Sequence, residues 1–212
     1  MGKKIIQIIL AVVIVALVWV IYHQISTPIN FEDELKQKRS AVIERIKNLR
    51  AAERAYKTKY NRFTGDYDSL TNFILQDSLV MERKLVDEDD SLALAALKKT
   101  GRKNVETFRV AVIDTIFAPH KLTAEQVREL RYIPHTGNQA EFILEVGTIV
   151  TGNVVVPIIE CRAPYKLFLD TVLYRKEIIN KIDDDVNNFS RYPGVVFGSK
   201  TAANNEAGNW ED

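Results

Sequence analysis

From Ile5 to Tyr22 the chain reads IIQIILAVVIVALVWVIY, apolar at every position except Gln7. At 1.5 Å per residue this run makes a helix of about 27 Å, close to the thickness of a bilayer's hydrocarbon core. It is longer than the apolar core of a cleaved secretory signal, and His23-Gln24-Ile25-Ser26-Thr27 lacks the small residues a signal peptidase needs. Residues 5–22 are therefore read as a retained transmembrane helix. Pro28 disfavours helical angles at Thr27, so residues 23–30 read as a joint. Asn30 then reads as an N-cap, with Glu32, Asp33 and Glu34 at the positive end of a new helix. Leu35, Val42, Ile43, Ile46, Leu49, Ala52 and Tyr56 recur mostly every three or four residues, which predicts one long amphipathic helix over 31–60.

The pattern changes after Tyr60. Asn61 to Asp68 is turn chemistry mixed with aromatics, and Asp68 reads as the cap of a short helix through Ile74. Ser91 and Gly101 bracket another short helix around Leu92 to Leu97. Phe108 to Ile116 reads as a strand ended by Pro119, and Thr123-Ala124-Glu125-Gln126 as a capping box opening a helix through Leu130. Phe142, Leu144 and Val146 alternate with other positions, and Val154 to Cys161 follows Thr151-Gly152-Asn153, so the two runs predict an antiparallel hairpin. Pro157 assigns part of the second run to an edge or a bulge. Leu169, Val172, Leu173, Ile179, Ile182, Val186 and Phe189 keep helical spacing, with Asp183, Asp184 and Asp185 mostly on the open face. Residues 199–212 read as a flexible tail. The sum is an α+β head on a membrane helix.

Composition and charge add a side to this picture. Apolar residues make up 46% of the chain and about 42% once the span is set aside, near the globular average, so 31–198 suffices for one α+β domain. Lys3 and Lys4 precede the span with no acid beside them, which places residues 1–4 in the cytoplasm and the head outside it. Trp19 and Tyr22 mark the far interface. Without Lys3 and Lys4 the head holds 27 basic and 28 acidic residues, a balance that argues against a polyanion-binding protein. The basic end of the long helix, from Arg45 to Lys59, could meet the acidic stretch 66–90, or that stretch could be a solvated loop.

Candidate chemistry is sparse. Cys161 is the single cysteine, within an apolar run, and reads as a buried small hydrophobe. No P-loop, nucleophile elbow, dinucleotide fingerprint or zinc spacing occurs, so no catalytic residue, cofactor or metal ligand is assigned. His23, His120 and His135 lack partners at metal spacing, and Asp87–Asp90 and Asp183–Asp185 lack the alternating ligands of a calcium loop. Tyr56, Tyr60, Phe63 and Tyr67 among basic residues superficially suggest a stacking surface for single strands, but such aromatics more often close a helix against a sheet, so no nucleic acid is expected.

Ile46 to Phe63, followed by Asp68-Ser69-Leu70 and Phe73-Ile74, resembles the end of the spine helix in type IV pilins and type II secretion pseudopilins. There an Ala-rich turn, a Tyr and a short loop lead to a Leu that re-enters the core. The resemblance implies a spine helix packed on a small antiparallel sheet and a role in an envelope assembly. The peptidase site and the acid near the start of the span that pilins carry are not matched: Gly2 precedes Lys3, and the first acid is Glu32. Tyr192-Pro193-Gly194 and Asn204 to Glu211 are similar to the endings of single-span envelope proteins of the Bacteroidota, which implies a bacterial inner membrane and a periplasmic head. The expectation is a non-enzymatic envelope subunit that packs against other subunits or copies of itself. Leu35, Val42, Ile46, Leu49 and the tail residue Trp210 are its candidate contacts. The alternative is a tethered ligand-binding or sensing domain with a pocket between the hairpin and the C-terminal helix.

Overall fold

The computed structural model describes residues 2–87, 89–101, 103–118 and 121–211, with the side chains of 3–5 left aside. It is a mixed helix-and-sheet protein carried on one long helix. That helix, α1, runs unbroken from Gly2 to Tyr60, 59 residues and roughly 88 Å. The joint at 23–30 and the N-cap at Asn30 are thus corrected: Pro28 lies inside the helix. A proline removes only one backbone donor, the one that would reach Gln24, and this stretch is open enough for solvent to reach the freed carbonyl. The Thr27 hydroxyl donates to the His23 carbonyl one turn back (2.8 Å).

Two faces of α1 meet different surroundings. Up to Tyr22 every described side chain is exposed, as expected of a helix long and apolar enough to cross a membrane. From Phe31 onward one stripe sinks into the head: Phe31, Leu35, Val42, Ile46, Leu49, Ala52 and Tyr56 are all buried. After Tyr60 the chain reverses at Asn61, in the left-handed region at φ 55°, and Phe63 returns to the core. Helix α2 (Tyr67–Gln76) follows, capped by Asp66, whose carboxylate accepts from Ser69 N (2.8 Å); Asp68, the expected cap, lies in the first turn instead. Phe73 packs edge to face on Tyr56 and Tyr60, which tilt against each other, with centroids 4.6–5.9 Å apart, so the aromatics close the end of α1 over α2.

The sheets are separate. β1 (Ser78–Lys84) pairs antiparallel with β2 (Val105–Ala111), and α3 (Ser91–Lys99) lies between them in sequence, capped by Asp90 rather than Ser91. The expected strand stops at Ala111 because Val112 turns into the core as α4 (Val112–Ile116), fully buried and bonded to the Asp77 carbonyl (3.1 Å); Pro119 lies outside the described residues. α5 (Ala124–Arg128) carries the expected capping box between Thr123 and Gln126. β3 (Ile143–Thr151) and β4 (Val154–Pro164) form the expected hairpin about Gly152 and Asn153, both at positive φ as a two-residue turn requires. Pro157 faces only Thr148, since the third strand, β5 (Gly194–Gly198), joins β4 from Glu160 to Pro164. A missing N–H is harmless on that open stretch.

The C-terminal helical spacing resolves into pieces. α6 (Tyr165–Phe168) and α7 (Arg175–Asp183) are separated by a turn in which Asp170 accepts from Val172 N and Leu173 N (2.9 Å each), and a wider turn over Asp184–Asn188 follows. Val172 and Leu173 are exposed, while Asp185, expected on the open face, is buried and paired with Lys181 (3.0 Å). α1 contacts β5, α2 and α4, and the main core fills the space between them, with Phe168, Phe197, Ile159 and Cys161 at its centre. Gly198 must be glycine: at φ 76°, an added Cβ would meet the Ile159 carbonyl oxygen at 1.9 Å.

Residues 199–212 are not a flexible tail through Glu211. Gly198 N donates to Ala207 O (2.9 Å) and Asn209 N to Val196 O (3.0 Å), so the tail lies along β5. The basic face of α1 then holds it. Glu206, buried, accepts from Arg54 Nε and Lys57 Nζ (3.0 Å each), and Arg50 pairs with Glu211 (2.7 Å). The sign of the charge on that face was legible, and it has two sets of partners: the tail takes Arg50, Arg54 and Lys57, while from the 66–90 stretch Asp77 pairs with Lys59 and accepts from Tyr60 Oη (2.8 Å). Glu206→Ala should cost about 1–2 kcal/mol, between an exposed and a buried ion pair, because Arg54 and Lys57 remain partly solvated. Limited proteolysis should then cut between Ser199 and Glu211 faster than in the parent; equal rates would show that the pair does not hold the tail.

Candidate interaction surface

The residues expected to contact partners occupy two different environments. Leu35, Val42, Ile46 and Leu49 belong to the head's own core, with relative exposure from 0 to 6%. The seam is therefore corrected from partner surface to core: its neighbours come from the same chain, and a partner could reach it only by unfolding the head. Trp210 is half-buried against α1, its ring 5.3 Å beneath the Arg50 guanidinium and packed on Gly208, so it is part of the tail's attachment. Trp19 and Tyr22 are exposed on α1, Trp19 stacked on His23 at 5.7 Å. The side chains of Lys3 and Lys4 lie outside the described residues, as do His120, Glu88 and Asp212.

Cys161 is fully buried beside Ala163 and Phe197, and burial pushes its thiol pKa well above the ordinary value, which keeps it protonated and unreactive. His135 sits at φ 66° in a turn. Among the described residues, no group of three or more His, Cys, Asp or Glu converges to hold a metal ion.

What the head does present is an arm. β1, α3 and β2 extend from Asp77 to Val112 with almost no core of their own: α3 has no buried residue, and Leu92 is 87% exposed. The register sets Leu79 opposite Val110, Met81 opposite Phe108 and Arg83 opposite Glu106 on one face. That face grades outward from a half-buried pair whose Leu79 packs on the core, through an exposed Met–Phe pair, to an ion pair of 2.8 Å. At the far end Asn104 closes the ribbon on Val86, donating to its carbonyl and accepting from its N–H (2.9 Å each). Two-stranded ribbons are marginal alone in water, and each strand here keeps one unpaired edge. An exposed aromatic, a methionine and two free edges are the chemistry by which another chain adds a strand or lays an apolar helix face.

One buried group was missed. Glu53 continues the seam, seven residues after Ile46 and four after Leu49, at a position where the period calls for an apolar side chain. It is fully buried; one carboxyl oxygen accepts from Thr64 N (3.0 Å) and the other bonds nothing. Burial raises its pKa from 4.5 to about 8, against the smaller opposing effect of the Thr64 bond. Its polar character inside the seam was visible, but a carboxyl at that register could equally face solvent. Against known proteins the chain stands apart: no family model, no curated protein and no solved structure matches it.

Proposed function

We propose that this chain is a non-enzymatic, single-pass subunit of a bacterial envelope machine for secretion, motility or surface assembly. α1 anchors it in the inner membrane with the N-terminus in the cytoplasm, and the head works in the periplasm by packing against other subunits or against copies of itself. The observation that carries this reading is the exposed arm, residues 78–111, on a head joined to an apolar helix without a break. A rigid α1 fixes the height of the arm above the bilayer, as a scaffold subunit needs. The pilin-like order of span, spine helix, aromatic turn and antiparallel sheet supports the same assignment.

A photo-crosslinking residue placed at Met81, Leu92 or Phe108 of the full chain in its native cells should give discrete higher-mass adducts. The same residue at Lys176, exposed on α7, should give none. Recovery of monomer alone from all three arm positions would overturn the assignment.

A further inference from the structure

A cavity of about 340 Å³ opens between α1 and the C-terminal segment, in the size range of small-ligand sites. Its walls are basic. Lys36 and Arg39 come from α1, Lys181 from α7 and Arg191 from the segment before β5, against Glu32 and Asp185. Asp185 is already committed: its carboxylate pairs with Lys181, and its carbonyl accepts from Arg191 N (2.7 Å). No ion pair among the described residues takes Lys36, Arg39 or Arg191. The Arg39 Nε is sealed from solvent and bonds nothing, which is costly for a guanidinium and unusual in a native fold. The Arg191 guanidinium is held over the Phe189 ring at 5.5 Å.

We infer that this cavity is an anion site for a phosphate-class oxyanion. Two guanidiniums and an ammonium converge on one space, and an Arg fork matches phosphate oxygens in geometry as well as charge. The buried Nε supplies the donor that a bound oxygen would satisfy. The site lies beside α1 residues 32–39, roughly 15–25 Å along the helix from Tyr22. The phosphate could belong to a soluble molecule or to a lipid headgroup drawn up from the bilayer. The inference stands apart from the arm, since it uses none of its residues.

The test is thermal unfolding of the full chain in nanodiscs. In phosphatidylcholine discs, inorganic phosphate should raise Tm above a chloride control of equal ionic strength. In discs containing phosphatidylglycerol and no free phosphate, the same rise would identify a headgroup as the source. Arg39→Gln and Arg191→Gln should each weaken phosphate binding about tenfold or more, the loss of a charge-assisted hydrogen bond. Arg83→Gln on the arm should leave it unchanged. No rise with either phosphate source, or a rise that survives both Arg39→Gln and Arg191→Gln, would overturn the inference.

Discussion

Glu53→Gln should flatten the dependence of stability on pH. The folded head holds a proton on Glu53 that the unfolded chain releases above pH 4.5, because burial raises the folded pKa to about 8. Between those values the folded state binds more protons than the unfolded one, so stability falls as pH rises, and it levels off above about 8. The slope for one such group is about 1.4 kcal/mol per pH unit, or roughly 5 kcal/mol across the window. That is a large part of the 5–15 kcal/mol typical of a whole domain. Glutamine keeps the acceptor for Thr64 N and carries no charge, so the variant resembles the protonated parent. Urea melts of the full chain in detergent should therefore agree for the two proteins near pH 4.5 and diverge towards pH 8, with the variant more stable. Parallel curves across that range would show that Glu53 is ionised in the folded head.

Ile46→Ala should destabilise the head by about 3–4 kcal/mol, the loss of a buried aliphatic side chain plus the cavity it leaves. Ile46 is fully enclosed, in one core with Val42, Leu49 and Phe197. Denaturant unfolding should report the loss as a lower midpoint at unchanged slope, while crosslinked yields from the arm stay proportional to folded protein. A variant as stable as its parent, with adducts abolished, would return the seam to the partner surface. Together with Phe108 crosslinking, this substitution separates core from interface on the same helix.

The arm was only half legible. β2 was visible because Phe108 to Ile113 is rich in aromatic and β-branched residues, although the β-branched run carried the reading too far, to Ile116. β1 left no such trace: Glu82, Arg83 and Lys84 are polar on both faces because neither face of the outer ribbon is covered. A period-2 signal exists only where one side of a strand is buried. Glu53 and the tail show the same limit from the other direction. Position 53 follows the apolar period without being apolar, and Glu206 lies in a stretch of Asn, Ala and Gly whose composition describes chain entropy rather than a docking partner.

The sequence by itself determined what depends on near neighbours: an apolar run long enough for a bilayer, an apolar stripe on the spine, the Thr123 capping box, the Gly152-Asn153 hairpin and the burial of Cys161. Each rests on spacings of a few residues, and the chain's local geometry translates such spacings directly into faces and turns. Tertiary structure alone decided which of those faces meet. It turned the seam inward, closed the tail over Arg50, Arg54 and Lys57, and left the arm uncovered. Those outcomes depend on contacts about 150 residues apart, such as Arg54 with Glu206, for which one-dimensional periodicity contains no register.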